Sequence, residues 1–285
     1  CSSDLLIFST FNRHFPLDLS QTHPYSPAMY LRRSLAVPLL FSLLLSLSHS
    51  LLPENHLLLP SSRKLGRDDS VYCLSWRFSV EVNDAGEWAT IPLRCLQFVD
   101  QYMNGEVYSS DSQMIAAESL EFAKSVQITG DGKDVWVFDI DETLLSNLPY
   151  YAAHGFGSET FNEDSFDEWA LEAKAPAIPA SLNLYRELQQ LGFKIVLLTG
   201  RSEPFRNATA ENLKFAGYDN WERLILRGPA DKGKLAAVYK SERRKELMDK
   251  GYRIHGNSGD QWSDLMGFGV SERSFKLPNP MYYIA

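Results

Sequence analysis

The chain has 285 residues and a mass of 32.3 kDa, with 44% apolar and 22% charged residues. That balance is ordinary for a globular enzyme and excludes wholesale disorder, collagen and a many-span membrane protein. Its 28 basic and 36 acidic residues leave a net charge of −8 and a pI of about 5.3. Such a chain gains nothing from a polyanion's field, so nucleic acid is not an expected partner and any phosphate must be met by a local site.

Residues 1–28, opening on Cys1 and rich in Ser, Pro and Thr, read as a translated upstream leader. At Met29 two arginines, Arg32 and Arg33, precede a short apolar run from Leu35 to Leu47, followed by Ser48-His49-Ser50. This is the layout of a secretory signal peptide over 29–50. Pro38 and the shortness of the run argue against a membrane span, which needs roughly 20 apolar residues. No membrane attachment is expected of the mature form, whose address is the secretory pathway, ending in the vacuole or outside the cell. Residues 51–70, with the charged patch Arg63 to Asp69, have no periodicity and read as a flexible linker. Residues 71–285 form the folded domain. In it Cys73 and Cys95 are an even pair bound for an oxidising compartment, which reads as a disulfide closing a loop of about 20 residues, worth roughly 3 kcal/mol. Two free buried thiols are the alternative, and with no CxxC or Cys/His neighbourhood zinc is not expected.

A turn is expected near Asn83-Asp84-Ala85-Gly86. Met114, Ala117, Leu120 and Ala123 then recur at helical spacing, with Asp111 as candidate N-cap. Val135-Trp136-Val137-Phe138 is a short apolar run ending in acids, the mark of a strand buried on both faces. Residues 180–191 give a helix ended by Gly192. Residues 193–198 form a second buried strand leading into Thr199-Gly200-Arg201. Helices over 204–216 and 231–250 precede a third strand at 252–255, before Gly259-Asp260. Alternating strands and helices predict an α/β fold, a Rossmann-like parallel sheet flanked by helices. In such sheets ligands sit at the carboxyl ends of the strands, where this chain places its polar groups.

In Asp139-Ile140-Asp141, extended backbone puts both carboxylates on one side. Side by side they repel, and a hard dication with oxygen ligands is the natural relief. Mg²⁺ typically takes one or two carboxylates with waters and a phosphate oxygen. Asp260 is placed to close that ring.

These features resemble the haloacid-dehalogenase superfamily of phosphatases. Asp139-Ile140-Asp141 matches the first motif, Thr199 after Ile195 to Leu198 the second, a lysine the third, and Gly259-Asp260-Gln261-Trp262-Ser263-Asp264 the fourth. With Cys73-Leu74-Ser75-Trp76-Arg77 and the stretch from Tyr239 to Asp264, the chain is similar to the plant acid phosphatases and vegetative storage proteins. The resemblance implies a Mg²⁺-dependent acid phosphatase acting on small phosphomonoesters. Asp139 would be the nucleophile, forming an aspartyl-phosphate, and Asp141 the general acid and base. Thr199, the Gly200 amide and a lysine would hold the phosphoryl group. Mg²⁺ would be held by Asp139, the Asp141 main-chain carbonyl and Asp260, with Asp264 binding or supporting it. Among Lys232, Lys234 and Lys240, the run Lys240 to Arg244 best resembles the third motif. A storage protein with incidental activity is the alternative reading, and a homodimer is left open. Displacement of halide is disfavoured, because it needs no acid such as Asp141.

Arg201 is open between a substrate-phosphate contact and a salt bridge. His255 reads as a strand residue satisfied by a neighbour, and His154 as a substrate-contact candidate. A short cap insert over about 146–180 carries Tyr150, Tyr151, Phe156, Phe161, Phe166 and Trp169, which either line an open mouth or pack the insert. Asn207-Ala208-Thr209 is a glycosylation sequon on a predicted helix.

Overall fold

The computed structural model describes residues 66–285. The leader, the signal peptide and most of the linker read from the sequence lie outside the described residues. The first helix, α1 (Arg67–Glu81), begins inside the segment expected to be linker. No apolar stripe announces it, for Val71, Leu74 and Phe78 all stay exposed. A disulfide joins Cys73 on α1 to Cys95 in the 3-10 turn Leu93–Cys95, with Cα atoms 5.4 Å apart. Helices α2 (Leu96–Met103) and α3 (Glu106–Ser125) follow. The helix expected to be capped by Asp111 is thus capped six residues earlier, by Gly105. Asp111 caps nothing. Its carboxylate instead accepts from Arg77 Nη1 at 2.9 Å and from the Tyr102 hydroxyl at 2.8 Å.

Strand β1 (Asp134–Phe138) leads into the insert helices α4 (Leu148–Ala153) and α5 (Glu163–Leu171). A bridge between Leu145 and Ala177 closes the base of this insert. Next come α6 (Pro179–Gln190), β2 (Lys194–Ser202), α7 (Arg206–Phe215), β3 (Arg223–Arg227), α8 (Ala236–Asp249), β4 (Arg253–Gly259), the one-turn α9 (Trp262–Leu265) and β5 (Arg273–Lys276). The sheet is parallel throughout, in the order β3-β2-β1-β4-β5. No described helix is long and apolar enough to cross a membrane.

Several boundaries differ from those expected. Thr199, Gly200 and Arg201 belong to β2 itself, whose pairing with β3 shifts register between Leu198 and Ser202. The third expected strand starts one residue later and runs on to Gly259. Helix 231–250 divides into a 3-10 turn at Pro229–Asp231 and α8, and 204–216 into a 3-10 turn at Glu203–Phe205 and α7.

Alternation on β1 builds both cores. Trp136 and Phe138 face a cluster with Tyr185, Leu188, Ile195 and Leu197, while Val135 and Val137 face Val196, Leu198, Tyr239 and Leu247. Trp136 lies flat against the neighbouring strand, its ring stacked on Phe275 at 5.3 Å and its Nε1 donating to Ser258 Oγ at 2.9 Å. That ring passes directly over Gly256, where any Cβ would come within 2.4 Å of it. A third cluster, including Val99, Tyr102, Tyr151 and Met281, joins the N-terminal helices, the insert and the C-terminal segment. The sheet's carboxyl edge is thereby fixed from three sides.

Candidate active site

Asp139 and Asp141 leave the end of β1, Thr199 to Arg201 the end of β2, and Asp260 the end of β4, while α8 presents Lys240 beside them. Asp139, Asp260 and Asp264 are all buried, and each offers a carboxylate oxygen within 4.8 Å of the others. Gly259 permits this approach: a Cβ there would sit 2.4 Å from the Asp264 side chain, which folds back to accept from the Gln261 amide at 2.9 Å.

Lys240 is 5% exposed and lies between two of these carboxylates. Its Nζ donates to Asp139 Oδ1 at 2.5 Å and to Asp264 Oδ1. Burial works against the ammonium, but Asp139 and Asp264 outweigh it and hold the lysine charged. The other two candidates lie elsewhere. Lys234 is spent on Asp231 at 3.1 Å and Glu242 at 2.5 Å, and Lys232 is exposed on the cavity wall.

Burial drives the Asp139 carboxyl well above its usual range despite Lys240, with Asp264 and Asp260 adding to the rise. Burial likewise pushes Asp260 up to about 8, helped by Asp264 and Glu142. Three buried carboxylates against one ammonium leave a deficit of positive charge. The donors are all hard oxygens, the set suited to a divalent cation such as Mg²⁺ or Ca²⁺. The residues fit such an ion.

Asp141 has a different environment. Arg201 grips it, Nη2 to Oδ1 at 2.7 Å and Nε to Oδ2 at 3.1 Å, and Asn147 Nδ2 donates to Oδ1 at 2.8 Å. Burial opposes its charge, yet Arg201 and Asn147 hold it below the usual carboxylate range. Arg201 forms this salt bridge, is steadied by Nη1 donating to Thr209 Oγ1 at 3.3 Å, and also lines the cavity. Thr199 is fully buried, and its Oγ1 accepts from the Arg201 main-chain N–H at 3.1 Å, which leaves its own proton to donate.

A cavity of about 1360 Å³ opens above this floor, with Asp139, Asp141, Arg201, Lys240, Asp260 and Asp264 in its lining. The insert's aromatics do both of the things expected of them. Tyr150 and Tyr151 are buried and pack on Phe166 and Tyr282, at 5.3 and 5.1 Å, whereas Phe161 stands 54% exposed in the cavity wall. His154 stacks on Tyr150 at 4.3 Å and lines the cavity. His255 lies beyond it, paired through Nε2 with Asp134 at 2.8 Å. Asn207 is exposed at the start of α7.

Sequence reasoning missed Glu142, Asn147 and Asn279. Glu142, at φ 51°, is fully buried and accepts from the Asn147 amide at 2.6 Å and the Tyr282 hydroxyl at 2.5 Å. Burial, then Asp141, pushes its carboxyl up to about 8. Asn147 is itself oriented by Trp169, whose Nε1 donates to Oδ1 at 2.9 Å. The signal available was the third acid of Asp139-Ile140-Asp141-Glu142, which nothing else in the run balances.

Residues 61–285 match the family model of the HAD superfamily, subfamily IIIB (acid phosphatase). The chain is 55% identical over 216 residues to Acid phosphatase 1 of Solanum lycopersicum, an alignment covering 76% of this chain and 85% of that one. It is 39% identical over 214 residues to Vegetative storage protein 2 of Arabidopsis thaliana, covering 74% and 80%. A class C acid phosphatase from Bacillus anthracis superposes with a TM-score of 0.56 at 24% identity, over 67% of this chain and 86% of that one, which shows a shared fold.

Proposed function

Since the chain belongs to subfamily IIIB of the HAD superfamily, the acid phosphatases, we propose that it hydrolyses small phosphate monoesters through an aspartyl-phosphate on Asp139. The observation that carries this reading is the convergence of Asp139, Asp260, Asp264 and Lys240 on one buried floor under an open cavity. Asp139 attacks phosphorus, and the bond from phosphorus to the ester oxygen breaks. Asp141 gives that oxygen its proton, worth typically about 10²–10⁴-fold. Water then attacks the acyl phosphate, Asp141 takes the water's proton, and inorganic phosphate leaves with Asp139 restored. In the ligand-free arrangement Arg201 holds Asp141 ionised, ready for the second half. A phosphate dianion beside it raises its pKa and readies it for the first.

Lys240, the Gly200 amide and the free proton of Thr199 are the donors for the transferring phosphoryl oxygens. We assign the cation as Mg²⁺, held by Asp139, Asp260 and the Asp141 main-chain carbonyl, which when bound offsets repulsion between carboxylate and phosphate. Asp264 supports from beside it, both of its oxygens being taken by Lys240 and the Gln261 amide. The complete acid set favours an enzyme over a reserve protein with incidental activity. A vacuolar or extracellular address is supported by the Cys73–Cys95 disulfide, a bond of oxidising compartments. Asn207 is exposed and available to a glycan.

The test is turnover of p-nitrophenyl phosphate with Mg²⁺ and with EDTA. Asp139→Asn should lower turnover by about 10³-fold or more with an unchanged circular dichroism spectrum, and EDTA should silence the parent chain. Full activity in that variant removes Asp139 as nucleophile.

A further inference from the structure

Glu81 closes α1, far in sequence from every residue of the site, yet one residue reaches both flanks of Asp260. Its Oε1 accepts from the Asn279 main-chain N–H at 3.1 Å and its Oε2 pairs with Lys276 Nζ at 2.8 Å. Its main-chain carbonyl accepts from Trp262 Nε1 at 3.1 Å. Trp262 lies two residues after Asp260, and Asn279 lies in the segment following β5. The Glu81 and Lys276 side chains are 17% and 14% exposed, so the pair is shielded from water.

Asn279 carries the contact onward. It is 1% exposed, and its Nδ2 donates to Asp260 Oδ2 at 2.7 Å. Its amide cannot be reversed, because Oδ1 already accepts from the Met281 main-chain N–H at 2.9 Å. Gln261 makes the matching contact: Nε2 donates to the same Asp260 oxygen at 2.7 Å, while Oε1 accepts from the Ile284 main-chain N–H at 2.9 Å. Two amides fixed by backbone donors thus clamp Oδ2. The other oxygen, Oδ1, meets only the Thr143 hydroxyl at 3.4 Å, a weak contact that a cation displaces at little cost.

We propose that Glu81 and Asn279 are positioning residues for the cation site, Glu81 anchoring the 276–279 segment so that Asn279 fixes the Asp260 carboxylate with one oxygen clamped and the other presented. The proposal rests on the reading of Asp260 as a cation ligand. It gives the disulfide-braced α1 a part in the chemistry, because α1 ends in Glu81, which contacts Trp262, Lys276 and Asn279. Glu81 also holds Lys276 Nζ, which donates in turn to the Leu277 main-chain carbonyl at 2.8 Å. Partners that orient metal ligands typically change affinity by about 10–100-fold when removed.

The test titrates MgCl₂ alone into the EDTA-treated, dialysed chain by calorimetry, and follows thermal unfolding with and without Mg²⁺. Glu81→Ala and Asn279→Ala should each raise the Mg²⁺ Kd about tenfold and shrink the Mg²⁺-induced rise in Tm. Glu81→Gln, which keeps an acceptor for the Asn279 N–H but loses the Lys276 pair, should fall between parent and Ala. In turnover, the loss should recover as Mg²⁺ is raised, so that the metal constant moves more than kcat. A role in folding alone gives another pattern: Tm falls equally with and without Mg²⁺ and Kd stays within twofold of the parent, which overturns the proposal. If Glu81→Ala does not fold, Glu81→Gln and Asn279→Ala decide it by the same Kd criterion. A parent chain that binds no Mg²⁺ overturns the reading of Asp260 and this inference with it.

Discussion

Three lysines of similar sequence standing have three different fates, and burial separates them. Lys240 replaces water with two carboxylates, Lys234 ties buried Asp231 to Glu242 of α8, and Lys232 faces solvent. Lys240→Met should therefore cost on two counts. Turnover should fall by about 10²–10³-fold, the usual loss for one donor to a developing charge. The metal-free protein should lose about 3–5 kcal/mol, because Asp139 and Asp264 keep their burial without a counter-charge. Mg²⁺ should return part of that stability. Lys234→Met should leave turnover within about twofold, because its partners Asp231 and Glu242 are not among the acids gathered at Asp139. A steady-state assay beside denaturant melts checks both, and equal activity losses in the two variants would contradict the assignment. Asp139 and Thr199 were readable because each directly follows an apolar run, Val135 to Phe138 and Ile195 to Leu198, and Asp260 and Asp264 because of the Gly259 to Asp264 motif. Arg201 was ambiguous because a phosphate and Asp141 attract it alike, and a sequence pattern does not tell the two apart. Asn147 and Asn279 act across a turn or from far along the chain, where no local pattern points to them, and Glu142 left only the trace of an unbalanced third acid.

At the scale of elements, β1 and β2 were legible because burial on both faces demands unbroken apolar runs, and the start of β4 because Tyr252 and Ile254 alternate with polar residues. The edge strands were not. In β3 the run Arg223-Leu224-Ile225-Leu226-Arg227 is short, half-exposed and flanked by arginines, and in β5 only Phe275 is buried. Helix α1 was hidden for another reason: it leaves large apolar side chains in water and is held by a covalent bond and by ion pairs. Arg94 pairs with Asp69 and stacks over Tyr72 at 4.2 Å, and Cys73 is bonded to Cys95. The bridge closes a loop with a sequence separation of 22 residues, worth about 3 kcal/mol in the chain-entropy model. Cys73→Ser should lower Tm by several degrees relative to the parent in oxidising buffer. With reductant sufficient to open the bridge, the two should melt together. A gap that persists in full under reductant would assign the loss to packing of the Cys73 side chain.

For the molecule as a whole, the site sets acids against the stability of the fold. Asp139, Glu142 and Asp260 have pKa values raised by burial first and by neighbouring acids, the last two to about 8. A carboxyl raised in the folded state stabilises fully below its unfolded value, near 4, and loses that contribution as pH rises through its folded value. Asp134 has the reverse character. Arg253 is the main cause, and with His255 and Thr129 it holds the carboxyl well below its usual range, so its contribution is present above about pH 4 and fades below it. The metal-free chain should therefore be most stable near pH 4–5 and lose about 2–5 kcal/mol between pH 5 and 8 as the buried acids ionise without enough positive charge. Mg²⁺ binds the ionised carboxylates, so it should stabilise more at pH 8 than at pH 5 and flatten the profile. Urea melts across that range, with EDTA and with saturating Mg²⁺, measure both curves. The sign is the decisive reading: a metal-free protein that grows more stable from pH 5 to 8 would mean that the site's acids are already balanced by its own cations, with no charge left for a dication to neutralise.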